Sequence, residues 1–283
     1  MDINEAKIII DNQLEKAIYA NIDILDNVHP MRVIQALKSL IGIDIDNPSE
    51  RLIHWGEEYL NNIDTLSKDH FKYSINKPKE TIVLSDLGNH ILSNKYDKSI
   101  DELQDLCSVS DGNQIFEYLI EFSCIHKMSA IPFIWSALRT NIFMKNKFTY
   151  PLLLLSVKGL FDNRFFNDGF FADIDIGCAS QSIKYSSLTR RDKINTCLEE
   201  GLFKYNNISG VKMDDLDMPE NKDRSIILDY LNHLKTDEIT KELILILDGC
   251  RMVLKDSPLN VQGNALKIIN LLIESKSYVN ATR

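Results

Sequence analysis

The sequence predicts an all-α protein of stacked helical hairpins, with one short irregular or β-hairpin segment. Three observations carry that expectation. Apolar residues recur every three or four positions through most of the chain, helix-start residues punctuate it from end to end, and one helical pattern comes twice. With 283 residues, 44% of them apolar, the chain can bury a sizeable core without a disulfide or metal staple.

The elements read in order as follows. From Glu5 to Leu25, residues Ile8, Ile9, Leu14, Ile18, Ile22 and Leu25 make an apolar stripe along one side of a first helix. Asn47-Pro48-Ser49-Glu50 is the next clear start: the Asn47 carboxamide accepts a backbone N–H, Pro48 takes the first helical position, and Glu50 lies in the positive first turn. Ser99-Ile100-Asp101-Glu102 has the form of a capping box. Thr236-Asp237-Glu238 and Ser257-Pro258 supply two later starts, the second followed at helical spacing by Val261, Ala265, Ile268, Ile269 and Leu272. Residues 162–186 break the periodicity. Asn167-Asp168-Gly169 is a turn between Phe165-Phe166 and Phe170-Phe171, and Ala172-Asp173-Ile174-Asp175-Ile176 alternates as a strand does. Residues 211–222, acidic and holding Pro219, read as a linker. The expected partition is a helical repeat core over 1–161, an irregular aromatic segment and helix over 162–210, and a C-terminal helical part over 223–283, either separate or continuous with the core.

An internal three-helix repeat underlies the first of these. Pro30-Met31-Arg32-Val33-Ile34-Gln35-Ala36-Leu37-Lys38 and Pro132-Phe133-Ile134-Trp135-Ser136-Ala137-Leu138-Arg139 share a proline start, an apolar face and an Ala-Leu-basic triplet. A second proline follows each, at Pro48 and Pro151, and opens a further apolar helix, Leu52 to Leu60 and Leu152 to Phe161. A helix precedes each as well, Glu5 to Leu25 and Gln114 to Ile125. Such a unit buries its faces by stacking on its copy.

Charge excludes several function classes. A net charge of −9, with cations scattered one or two at a time along the chain, leaves no basic stripe for phosphates, so nucleic acid is not an expected partner. The longest apolar run, Tyr150 to Val157, falls well short of the roughly 18 residues of a membrane helix, so no membrane partner is expected either. Met1-Asp2-Ile3-Asn4-Glu5 shows no secretory leader, and a cytoplasmic address follows. The five cysteines form no Cys-x-x-Cys pair and read as free thiols.

Candidate chemistry rests on few residues. His54 precedes Glu57 and Glu58 by three and four positions, which puts an imidazole and carboxylates on one helix face, as helical metal sites require. His29 and His126 stand at corresponding hairpin corners of the two repeat units, so pseudo-symmetry can bring them together. His29, His54, Glu57, Glu58 and His126 are therefore the candidate metal ligands, against the alternative that each satisfies a local backbone group. Trp55, Trp135, Phe166 and Phe170 are the candidate ligand-binding aromatics, against the alternative that they are core. Gly-x-Ser-x-Gly, Gly-x-x-x-x-Gly-Lys and Gly-x-Gly-x-x-Gly do not occur.

Asn27-Val28-His29-Pro30-Met31, running on to Gln35-Ala36-Leu37-Lys38, and Arg51-Leu52-Ile53-His54-Trp55-Gly56-Glu57-Glu58-Tyr59 resemble the repeated helix pairs of the questin oxidase-like proteins. Pro132 to Arg139 followed by Pro151 to Phe161 is similar to them too, so that the likeness covers about half the chain. The resemblance implies an all-helical fold and oxidation of aromatic polyketides. Gln35 and Ser136 stand where that pattern places a histidine before the Ala-Leu-basic triplet, and only His29 and His54 carry over. Two functions are therefore expected: a helical scaffold or binding protein presenting a groove to a protein partner or small ligand, or a non-haem oxidase-like enzyme that holds iron and acts on an aromatic or polyketide-type molecule.

Overall fold

The first three helices begin where a side chain takes up their first unsatisfied N–H groups. The Asp2 carboxylate accepts from the N–H groups of Asn4 and Glu5 at 2.7 and 2.9 Å and opens α1, Ile3–Ile18. His29 caps α2, Pro30–Ile41, its Nδ1 accepting from the Met31 N–H at 3.1 Å while Pro30 takes the first helical position. Ser49 caps α3, Glu50–Asn61. There follow α4 (Leu84–Leu92), α5 (Tyr96–Val109), α6 (Asn113–His126), α7 (Ile131–Phe143), α8 (Thr149–Phe161), α9 (Ser225–His233) and α10 (Lys241–Asp256). The computed structural model describes residues 1–21, 28–72, 81–127, 130–162 and 225–256, with Leu266, Ile269, Asn270 and Ile273. Within them the fold is all-α, and the one β feature is an isolated antiparallel bridge between Ala20 and Thr65. The segment with Phe166 and Phe170, the expected linker and the Ser257-Pro258 start lie outside the described residues.

Three boundaries differ from those the sequence predicts. The first helix stops at Ile18, because Asn21 donates to the Asp64 carbonyl and Leu66 to the Tyr19 carbonyl, each at 2.7 Å; residues 19–21 pair with the chain after α3 instead of continuing the helix. Ser49, not Asn47, caps α3: its hydroxyl accepts from the Leu52 N–H at 3.4 Å, while the Asn47 N–H donates to Asp44. Ser99 lies inside α5, where its hydroxyl donates to the Lys95 carbonyl at 3.0 Å, so it forms no capping box. The earlier start of α5 places the Tyr96 ring edge-on to Phe161, with ring centroids 5.2 Å apart.

Packing centres on α2, eleven of whose twelve residues are buried. It touches α1 and α3, which touch each other, and also α7 and α10. Helices α6, α7 and α8 are likewise in mutual contact, and the α4–α5 pair leans on α6 and α8. Because His29 stands edge-on to Phe133 (5.4 Å between ring centroids) and Lys38 lies over Phe143, α2 and α7 run side by side in the same direction. The C-terminal helices join the same apolar cluster: Ile227, Leu231, Ile244 and Leu247 are buried with Leu14, Met31, Leu37 and Phe133. Arg51 fixes that union by donating to the Leu231 and Leu234 carbonyls at the end of α9, and the Trp55 indole N–H donates to the Ile239 carbonyl at 2.8 Å. No helix among the described residues is long and apolar enough to cross a membrane.

Candidate functional site

A helix as buried as α2 must satisfy its polar side chains from its neighbours. Thr140 of α7 donates to the Gln35 carboxamide oxygen at 3.1 Å, Ser39 donates to the Gln35 carbonyl at 2.8 Å, and the Arg139 guanidinium donates to the Ser39 hydroxyl. Lys38 is bonded to none of them. Its Nζ lies 4.4 Å from the centroid of the Phe143 ring and makes no hydrogen bond or ion pair with a described residue.

Lys38 faces a cleft of about 340 Å³ between α1, α2, α7 and α10. Ile3, Ala6 and Ile10 line it from α1, at one-turn spacing along a single face. Ile41, Ile45 and Phe143 complete the apolar wall, and Lys7, Lys38, Ser39, Arg139 and Arg251 are the polar one. Asp248 of α10 pairs with both arginines: Oδ1 accepts from Arg251 Nε at 2.8 Å and Oδ2 from Arg139 Nη1 at 3.2 Å. Arg139 and Arg251 thus share one buried carboxylate, with which Lys38 forms no ion pair, within a chain whose net charge is −9. Burial first, then the Arg139 and Arg251 charges, bring the Lys38 ammonium down to about 7, with Asp248 opposing them.

The predicted metal ligands occupy unlike settings. His29 is fully buried at the head of α2, and burial, with a smaller push from Lys158, lowers it to about 3. Its Nδ1 is occupied as the helix cap. His54 lies on the exposed side of α3, 3.6 Å from Glu57 and 3.2 Å from Glu58, and His126 ends α6 with its ring against Phe122. Among the described residues no group of three or more His, Cys, Asp or Glu side chains is arranged to hold a metal ion. Trp55 stacks on Tyr59, with ring centroids 5.3 Å apart, and spends its N–H on Ile239; Trp135 is buried in α7. Neither lines the cleft.

The residues that do line it were visible as the basic ends of the two Ala-Leu triplets, Lys38 and Arg139, but there they mark a repeat and not a charge cluster. The readable signal was a cation closing an otherwise apolar stripe in each. Asp248 and Arg251, three apart on α10, add what only the fold brings in. Compared with protein-family models, with curated proteins and with solved structures, the chain matches none.

Proposed function

We propose that the chain is a helical binding protein, at work in the cytoplasm, that holds a small molecule in the cleft between α1, α2, α7 and α10. One observation carries the reading: an ammonium, Lys38, faces a largely apolar cleft of about 340 Å³ with no oxygen partner among the described residues. Small-molecule sites of roughly this volume are mostly apolar with a few convergent polar groups, and this cleft has that composition. Lys38 is partly exposed, and an ammonium at a cleft wall with no ion-pair partner among the described residues is a charge that an entering ligand can pair. In this reading α1–α3 and α6–α8 are two copies of one module, and each contributes the basic residue of its Ala-Leu triplet. The oxidase-like alternative, with iron on His29, His54, Glu57, Glu58 and His126, has no observation in its favour among the described residues.

A thermal-shift screen of soluble metabolites against the protein and its Ala6→Phe variant tests the proposal, the new ring projecting from α1 into the cleft. Compounds that raise the melting temperature of the parent and not of the variant are the expected result. A screen with no stabilising compound, or with the same shifts in both proteins, contradicts it.

A further inference from the structure

We infer that the ligand of this cleft is a small amphiphile: one anionic head, carboxylate or phosphate, on an apolar body. The inference rests on the binding function proposed above and deepens it. The sign of the head follows from which donors remain unused. Asp248 accepts from Arg139 and Arg251, and no hydrogen bond or ion pair joins it to Lys38. Arg139 is further committed to Ser39 and the Met252 sulfur. Arg251 is bonded through Nε alone, which leaves its terminal nitrogens, like the three N–H bonds of Lys38, without a partner among the described residues. A cation entering here meets the positive side chains of Lys7, Lys38, Arg139 and Arg251, and a neutral polar group leaves the ammonium uncompensated. An oxyanion accepts from Lys38 and Arg251 at once, in the charge-assisted bonds that are the strongest of their kind.

The body follows from the other wall. Ile3, Ala6, Ile10, Ile41, Ile45 and Phe143 offer no donor or acceptor beyond their backbone, so they can cover only an apolar group. Ile3 and Ile45 are 45% and 58% exposed at the rim, and an aliphatic or aromatic body lying between them would take both out of water. At about 30 Å³ for each water-sized volume, the cleft holds on the order of ten heavy atoms. A highly charged ligand such as a nucleoside triphosphate fits neither the apolar wall nor the nearby Asp248 carboxylate.

Isothermal titration calorimetry at about pH 6.5, where the Lys38 ammonium is mostly charged, tests this with decanoate, decyl phosphate, decanol and inorganic phosphate. We expect decanoate or decyl phosphate to bind one to one, and decanol and inorganic phosphate to bind about 10- to 100-fold more weakly. Whichever anion binds better names the head group. Lys38→Met and Arg251→Met should each weaken the better anion by a similar factor while leaving decanol unchanged, with circular dichroism confirming that both variants fold. Decanol binding as tightly as the anions, or Lys38→Met leaving them unaffected, overturns the anionic head while the cleft remains a binding site. Inorganic phosphate binding as tightly as decyl phosphate overturns the apolar body. If none of the four binds while metabolites from the screen still require an open cleft, the ligand class is wrong and the binding function stands. If the screen is also empty, both fall.

Discussion

Two bases on α2, His29 and Lys38, are held below their ordinary values, and they shape stability on opposite sides of neutrality. His29 titrates at about 3 in the fold against 6.5 in the open chain, so the unfolded state binds the extra proton between those values. Its contribution to stability is whole above about pH 6.5 and is lost as the pH falls toward 3. Asparagine is also a good cap, so His29→Asn keeps the helix start and removes the proton. Denaturant titration should find the variant about 1–2 kcal/mol less stable at neutral pH, through lost packing on Phe133, with the deficit shrinking as the pH is lowered. A deficit that stays constant with pH would remove His29 from the acid response. Lys38 acts in the same direction over a higher window. Its fold value of about 7 lies below 10.5, so the unfolded chain binds more protons between them and stability rises with pH across that window. Without ligand, Lys38→Met should melt about 2–4 °C higher than the parent near pH 6.5, and the advantage should fade toward pH 10. A variant that melts lower at both pH values would mean that the ammonium is satisfied in the fold.

At the level of helices, the ties of α3 to the C-terminal part carry more than their size suggests. Trp55→Phe keeps the ring on Tyr59 but strips the Ile239 carbonyl of its donor, at a cost of about 1–3 kcal/mol. Hydrogen exchange should then quicken in α9 and α10 before it does in α1 or α7; uniform acceleration would show that the tie is not local. Gly112, at φ +86°, opens α6 in the left-handed region, where a Cβ would stand 2.2 Å from the Thr149 methyl carbon. Gly112→Ala should therefore destabilise by about 2 kcal/mol in a chemical denaturation curve, and an unchanged midpoint would contradict that geometry. Helix interiors were legible in the sequence because each apolar stripe records burial along a single rod. Helix ends were less so. Asn47 and Ser99 have good capping chemistry, yet Ser49 and the Tyr96–Phe161 contact decide where α3 and α5 begin, and the second of these depends on a residue 65 positions away. Helix α4 has no side-chain cap and a short stripe, and the sequence offered no clear start for it.

Over the whole molecule, the cleft exists because helices distant in sequence converge on α2. Lys38, Arg139 and Arg251 are separated by about a hundred residues at each step, so no local motif could announce them together. The histidines illustrate the converse. His29 and His54 are conspicuous in the chain, but one is enclosed as a cap and the other faces solvent beside Glu57 and Glu58. The Lys38 ammonium faces the cleft with no hydrogen-bond or ion-pair partner among the described residues, so its own titration is the decisive measurement for the binding account. Carbon-13 NMR of the lysine side chains, with Lys38→Met to assign the resonance, should find its midpoint near 7 in the empty protein and moved toward 10.5 when decanoate or decyl phosphate is bound. A midpoint near 10.5 in the empty protein, or one that saturating anion leaves in place, would contradict it.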